Sequence, residues 1–491
     1  MLAFTSNEHI HLISQSMTTG VASPMSLRTE AAPAPTQTEQ RKIPARFIYF
    51  FGSFGGILFG YDIGVMTGAL PFLTKDWGLT GNAAAIGWIT SSLMLGAIFG
   101  GAMSGQLADK LGRRRSILVA AIIFAVASLA LGVSPHGSLA YMIVMRVVLG
   151  LAVGAASALV PAYMAEMAPA GVRGRLSGLN QTMIVSGMLL SYIVAWFLQH
   201  LPTTWAWRSM LAVAAVPAVI LFLGVLKLPE SPRFLVRNGQ EGMARAVLGM
   251  IRKPEQVEPE LREIQQAIQA ETNAQQSTSW ATLLNPRYRY LLIAGVGVAA
   301  FQQFQGANAI FYYIPLIVEQ ASGKEASSAL MWPIIQGVIL VLGSLLFMAI
   351  ADRFNRRTLL TLGGSVMGIS FILPAVIAKI APDANPMLIV VFLSIYVAFY
   401  SFTWAPLTWV LVGEVFPLII RGRAAGMASS FNWIGSFAVG LLFPIMTAHM
   451  PQAAVFAIFG AICIAGVLFV RTCVPETKGR SLEEIEAAGS R

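Results

Sequence analysis

Long apolar runs separated by short polar breaks dominate the chain from residue 47 onward. Runs near 47–70, 84–107, 116–135, 139–165, 178–199 and 209–228 are each long enough to cross about 30 Å of hydrocarbon as a helix. A polar stretch from 229 to 288 follows, then six more runs near 289–318, 328–350, 358–380, 386–414, 424–448 and 453–474. The pattern predicts an all-α membrane protein with twelve transmembrane helices, six on each side of a linker. Within the linker, Glu258 to Glu271 has helical apolar spacing among charged neighbours, which predicts a short surface helix. Residues 1–44 are polar, rich in Ser, Thr, Ala, Pro and Gln, and lack the apolar core of a signal peptide. They read as a disordered cytoplasmic tail, with Met17 and Met25 as alternative starts. The chain thus divides into a tail (1–44), a six-helix lobe (45–228), a linker with short helices (229–288), a second six-helix lobe (289–474) and a C-terminal tail (475–491).

Composition sharpens this picture. Of the 491 residues 56% are hydrophobic and 11% charged, against about 25% charged in a soluble domain. The net charge of +10 does not point to nucleic acid, because the basic residues sit in short clusters between apolar runs with no basic face or reader motif. Lys and Arg gather before residue 47, after the second, fourth, eighth and tenth runs, in the linker and at the C-terminus, all on one side. The opposite loops carry little, namely Lys75, His136, Arg208, Lys324 and Lys379, so the positive-inside rule places both termini and the linker in the cytoplasm. Cys463 and Cys473 lie about 15 Å apart along one helix and cannot pair. A Walker-type phosphate loop, a catalytic triad and metal-ligand spacing are all missing from the sequence, so neither an enzyme nor a cofactor or metal is expected.

A charged signature occurs twice in the same order. The first copy is Asp109, Arg113, Arg114, Glu166, Arg173, Arg175 and the triplet Pro229-Glu230-Ser231. The second is Asp352, Arg356, Arg357, Glu414, Arg421, Arg423 and Pro475-Glu476-Thr477, displaced by 243 to 248 residues. Two copies of one six-helix unit are the build of a two-lobed transporter. These acids and guanidiniums fall at the cytoplasmic ends of spans, where they can form a network that ties the lobes together when that side is closed. Topology signals alone would account for the bases, but the acids repeated in both copies favour the gate. Gly112 suits the tight turn of the first copy, and its counterpart Asn355 also tolerates a positive φ. Deeper in the membrane, Asp62 stands roughly 24 Å from the cytoplasmic end of the first run, and Arg146 roughly 10 Å into the fourth run from the other side. They reach comparable depth and are the expected pair. A carboxylate there is expensive and functional by default, with a permanent salt bridge as the alternative.

The ordered set GYDIGVMTGAL (60–70), DKLGRRR (109–115), Arg146 through Glu166 to RGR (173–175), PESPR (229–233), QQFQGANAIFYYIP (302–315), DRFNRR (352–357), WAPLTWVLVGEVFP (404–417), FNW (431–433) and PETKG (475–479) spans the chain. It resembles the sugar porters of the major facilitator superfamily, closest to bacterial proton-coupled monosaccharide symporters. The resemblance implies the major facilitator fold, two pseudo-symmetric six-helix lobes with the substrate between them. It also implies that Asp62 carries the proton with Arg146 beside it, since passive members tend to have an amide at that position. Desolvation favours the neutral acid and a guanidinium the charged form, so small movements of Arg146 would load or release the proton.

Sugar hydroxyls both donate and accept, and the ring offers flat C–H faces, so a site needs several polar side chains and an apolar platform. The resemblance assigns Gln302, Gln303 and Asn308 of the seventh run to sugar, with Gly306 and Pro315 loosening the helix around them. Gln181, Trp409, Asn432 and Trp433 match further contacts, Trp409 as stacking platform, and Phe59, Tyr312 and Tyr313 would line the cavity. Interhelical glue is the alternative for the amides, yet four polar residues within seven positions exceed what glue needs. Gln305 faces either the site or another helix. The chain departs from the family at Leu340, where an Asn is usual; Gln336, one turn away on the same face, could compensate.

The expectation is therefore proton-coupled symport of a hexose or pentose by alternating access, in a bacterial inner membrane, by a monomeric unit whose partners are sugar, proton and lipid and not nucleic acid. Passive facilitation by the same fold and a non-transporting sugar sensor are the alternatives. The short C-terminal tail leaves a sensor little room, and the amide-rich seventh run argues against drug export.

Overall fold

The computed structural model describes residues 44–480 apart from 169–172, 278–282, 284, 323–329, 352, 382–384, 386 and 418. Its elements are helices. The first lobe holds α1 (Ala45–Ser53), α2 (Gly55–Asp76), α3 (Ala83–Leu111), α4 (Arg113–Gly132), α5 (Leu139–Met167), α6 (Arg173–Leu198), α7 (Thr203–Val213) and α8 (Ala215–Leu226). The linker carries α9 (Pro232–Arg237), α10 (Glu241–Ile251) and α11 (Pro254–Ser277). The second lobe holds α12 (Pro286–Phe304), α13 (Ala307–Ser322), α14 (Met331–Ile350), α15 (Arg356–Ile380), α16 (Leu388–Phe402), α17 (Trp404–Val415), α18 (Arg421–His449) and α19 (Gln452–Cys473).

Among the described residues, eleven helical stretches are long and apolar enough to cross a membrane. The seventh predicted run completes the twelve in two pieces, because α12 stops at Phe304 and Gly306 turns the chain with φ +93° before α13. Two other crossings break where proline dictates. Pro217 and Pro406 offer no N–H and crowd the carbonyl four residues back, and those residues, Val213 and Phe402, are the last of α7 and α16.

Within lipid the helices gain nothing from hiding apolar side chains, so they associate by close approach. Gly56, Gly60, Gly64 and Gly68 recur every four residues on α2 and form a bare stripe. A Cβ on Gly60 would collide with the carbonyl of Ile184, and one on Gly64 with Ser191, both on α6. The α3–α5 crossing repeats the device, with Gly96 and Gly100 against the carbonyls of Val147 and Leu151, and Gly150 and Gly154 against those of Leu93 and Ala97. Large apolar side chains then face outward to lipid; Val126, Leu223, Leu342 and Leu468 are each more than half exposed.

The lobes meet unevenly. At the end remote from the charged turns, the Thr67 hydroxyl of α2 donates to the Phe311 carbonyl of α13 at 2.6 Å, and Gly87 of α3 abuts the Leu441 carbonyl of α18. Toward the charged turns, Thr182 of α6 meets Ser344 of α14 at 3.3 Å. There, however, α5 leaves Ala158, Pro161, Ala162 and Ala165 exposed, and α17 leaves Trp409 and Gly413 exposed. These faces are exposed toward the charged end, whereas the described hydrogen bonds between the lobes other than those of Thr182 lie at the far end.

In the linker, Pro232 in the first turn and the Ser231 side chain capping Phe234 start α9. Arg252 clasps Glu260 with bonds of 2.5 and 2.8 Å, joining α10 to α11, and reaches the Met167 carbonyl at the end of α5. The surface helix expected over 258–271 lies inside α11.

Candidate functional site

The break in the seventh crossing gathers most of the expected amides. Gln302 donates to the carbonyls of Trp404 and Ala405 at 3.2 and 2.8 Å, carbonyls at the start of α17. Its own carbonyl accepts from Asn432 at 2.6 Å, and Asn432 also donates to the Ala299 carbonyl at 2.8 Å. Gln303 donates to Asn432 at 3.4 Å and accepts from Asn308 at 3.1 Å, while Asn308 also donates to Ser436. An amide nitrogen has two protons to give. Those of Gln302, Asn432 and Asn308 are therefore spent on the protein, whereas half-buried Gln303 keeps one in reserve. Ser436 was not anticipated; it lies one helical turn beyond Asn432 on α18, which is the signal that could have found it.

Other expected ligands arrive from elsewhere. Phe59 of α2 and Trp433 of α18 meet edge to face across the lobes, ring centroids 5.4 Å apart. Trp409 is 42% exposed on α17, and Gln181 is half-buried on α6. Gln336 is buried on α14 with neither amide atom hydrogen-bonded, and Leu340 is buried one turn on. Gln305 is also fully buried and unbonded through its side chain, packed near Gly466 of α19. Tyr312 and Tyr313 are closed off at the far end, and Tyr313 borders a separate cavity of about 930 Å³ there.

Asp62 and Arg146 do come together, 1% and 0% exposed, with Arg146 Nη1 3.9 Å from Asp62 Oδ1. The two are loosely paired. Neither carboxylate oxygen makes a hydrogen bond, and Arg146 instead donates from Nη2 to the Thr90 carbonyl at 3.3 Å.

The charged turns form matching clusters, one per lobe. Arg113 pairs with Glu166 at 3.1 Å and with Asp109 at 3.3 Å, and Glu166 also accepts from Ser231. Glu230 accepts from the backbone N–H groups of Arg113 and Arg114 at 2.9 and 3.0 Å, an anion on the N-terminus of α4. The Arg114 guanidinium holds the carbonyls of Val225 and Leu226. In the second lobe Arg356 pairs with Glu414 at 3.3 Å, Thr477 donates to Glu414 at 2.5 Å, and Glu476 accepts from the N–H groups of Arg356 and Arg357 at 3.0 and 3.1 Å. Arg357 holds the Arg471 carbonyl, and Arg421 the Phe416 carbonyl at 3.0 Å.

Two expectations change. The described ion pairs of these clusters join residues of the same lobe, so here they brace each lobe rather than tie the two. Gly112 does turn with φ +91°, but Asn355 is extended with φ −67°, so the second turn needs no positive φ. Asp352 and the side chains of Arg173 and Arg175 lie outside the described residues, and Arg423 opens α18 beside Arg421. Glu230, Ser231, Glu476 and Thr477 were missed as site residues. Their repeated Pro-Glu-Ser/Thr triplet was the available signal.

Two six-helix lobes around a buried ionisable pair and an amide-rich helix break define a multi-pass transporter of the major facilitator fold and not an enzyme. The chain belongs to the sugar (and other) transporter family, whose model matches residues 48–488. It is 42% identical over 451 residues to the D-xylose transporter of Levilactobacillus brevis, covering 91% of this chain and 96% of that one. It is 39% identical to the glucose transporter GlcP of Staphylococcus epidermidis, covering 89% and 96%. The solved structure of the proton:xylose symporter XylE with bound 6-bromo-6-deoxy-D-glucose superposes with a TM-score of 0.75 at 29% identity, covering 90% and 98%.

Proposed function

We propose that this sugar transporter carries a monosaccharide, hexose or pentose, into the cell together with a proton. The observation that carries the proposal is the loose pair of Asp62 and Arg146, both buried, one turn of helix from Phe59. A carboxylate clasped by two hydrogen bonds would be a fixed strut, whereas one held 3.9 Å from its guanidinium can take and lose a proton without dismantling a network. The relatives support both halves of the reading: one is named a proton:xylose symporter, others transporters of D-xylose and glucose.

In this reading the face with the charged turns is cytoplasmic, which the distribution of Lys and Arg supports, and both termini lie there, in a bacterial inner membrane. The sugar sits among Gln181, Gln303, Asn308, Trp409 and Trp433, with Gln302 and Asn432 holding the broken helix in register and Gln336 offering a further amide. Tyr312 and Tyr313 close the path on the outer side. Asp62 is protonated from outside, sugar binds, the lobes rock, and the proton leaves to the cytoplasm.

Vesicles holding the purified protein test this. Adding sugar outside alkalinises the external medium if a proton travels with it. Asp62→Asn is expected to abolish accumulation driven by a pH gradient while retaining exchange of labelled for unlabelled sugar. Accumulation that survives Asp62→Asn places the proton on another group and leaves the pair a structural salt bridge, whereas wild-type protein that equilibrates sugar without accumulating it leaves passive facilitation as the reading.

A further inference from the structure

We propose that Thr90 is a positioning residue that links the Asp62–Arg146 pair to closure of the outer face. The proposal rests on the symport reading above, which makes that pair the proton site. Thr90 touches both systems with different atoms. Its carbonyl accepts from Arg146 Nη2 at 3.3 Å, while Nε and Nη1 of that guanidinium are unbonded. Its hydroxyl lies 2.5 Å from the hydroxyl of Tyr313, which belongs to α13 of the other lobe.

The direction of that second bond follows from the next one. Tyr313 Oη donates to the Gly440 carbonyl of α18 at 2.7 Å. With the single tyrosine proton on that carbonyl, Thr90 is the donor to Tyr313, and its hydroxyl also stands 3.4 Å from the same Gly440 carbonyl. A threonine inside a helix ordinarily turns its proton back onto its own preceding turn. Thr90 has that alternative at hand, with Ile86 O and Gly87 O each 3.0 Å away. One proton thus serves two states: across the lobes to Tyr313 when the outer face is shut, and back into α3 when α13 moves off.

Tyr313 borders the outer cavity of about 930 Å³ together with Lys75, His200, Glu319 and Thr447, so the Thr90–Tyr313–Gly440 chain lies at the floor of the outer vestibule. Arg146 anchors the Thr90 backbone while standing 3.9 Å from Asp62. A charge on Asp62 that draws the guanidinium closer pulls on the same anchor. Among the described residues, Tyr312 of α13 interacts electrostatically with both members of the pair and Tyr313 with Arg146, while Tyr192 of α6 faces Tyr312.

The test compares Thr90→Val, which keeps the branched shape and loses the proton, with Thr90→Ser, which keeps the proton. Both are made in a parent with Cys463→Ala, Cys473→Ser and a single cysteine introduced by Thr447→Cys. A membrane-impermeant maleimide added outside intact cells reports how often the outer face opens. Loss of one hydrogen bond from the shut state predicts labelling of the valine variant roughly three- to tenfold faster than the parent, with the serine variant within about twofold. In vesicles, protons moved per sugar should fall for valine and hold for serine. The proposal is overturned if valine labels at the parental rate or if serine rises alongside it. Faster labelling with an unchanged proton-to-sugar ratio also overturns it, leaving Thr90 a latch without a link to the pair. If the parent itself moves no proton with sugar, the symport reading and the link fail together, and the labelling arm shows separately whether Thr90 holds the outer face.

Discussion

Hydrogen-bond capacity divides the amides that hold the helix break from the one free to meet a ligand. Gln302 gives both of its protons to the carbonyls of Trp404 and Ala405. Gln302→Ala would leave those groups short of donors, which predicts a loss of about 1–3 kcal/mol in stability, read from thermal unfolding of the purified protein. Gln303 is half-buried with a proton to spare. Gln303→Ala is expected to raise KM for sugar about tenfold, the weight of one good hydrogen bond, and to cost less stability than Gln302→Ala, since its protein bonds, to Asn432 and Asn308, are longer at 3.4 and 3.1 Å. If both variants lost stability equally, the division of labour drawn from this network would be wrong. The set of amides was legible in the sequence from residue type and spacing. Its division was not, because the partners that spend the protons of Gln302 and Asn432 lie 103 and 130 positions away.

At the scale of elements, irregular backbone is confined to places where the interior satisfies it. The α12–α13 break turns at Gly306 with φ +93°, and a Cβ there would stand 2.8 Å from the Phe459 ring. An L-residue in that conformation costs roughly 1–2 kcal/mol before any clash. Gly306→Ala should therefore lower the unfolding temperature and slow uptake, whereas Gly413→Ala, where a Cβ meets nothing within 4 Å, should leave the unfolding temperature unchanged. The breaks at Pro217 and Pro406 were not anticipated, since both prolines stand in runs predicted as single spans and Pro71, Pro161 and Pro444 lie inside helices that continue. The one at Gly306 was visible only as a loosening, since nothing local separates a kinked helix from a severed one. The turn at Asn355 teaches the same lesson from the other side. The residue tolerates a positive φ, yet it is extended at φ −67°, while Gly112, before a helix start capped by a carboxylate in the same way, turns at φ +91°.

For the whole molecule, the two charged clusters are equivalent devices built once per lobe. Glu230 and Glu476 each receive two backbone N–H groups at the start of a helix, α4 and α15. Replacing either by Ala removes a cap and is expected to destabilise by about 0.5–2 kcal/mol. Because the clusters share no described partner, the double variant should lose the sum of the two, measured by the same unfolding assay. A strong departure from additivity would mean that the clusters act as one gate in the populated state. The far end behaves differently, since its ties through Thr67, Thr90 and Gly87 cross from lobe to lobe. Apart from those of Thr182, the described polar ties of the charged end stay within lobes, whereas ties at the far end cross between them.

The sequence by itself determined the number of crossings, the linker, the repeat, and the chemical types at the pair and the break. Those properties are local: a run of apolar residues or a carboxyl among leucines carries its meaning in its own neighbourhood. It also determined the helix crossings in part, through glycines spaced four apart on α2 and paired on α3 and α5. Only the tertiary structure decided that Asp62 and Arg146 stand apart without a hydrogen bond, that the charged clusters close within lobes, and that Thr90 joins Arg146 to Tyr313. Each of these depends on distances between helices that meet edge to edge, where a shift of about 1 Å makes or unmakes a hydrogen bond, and no local pattern records the relative placement of residues 56 or 223 positions apart.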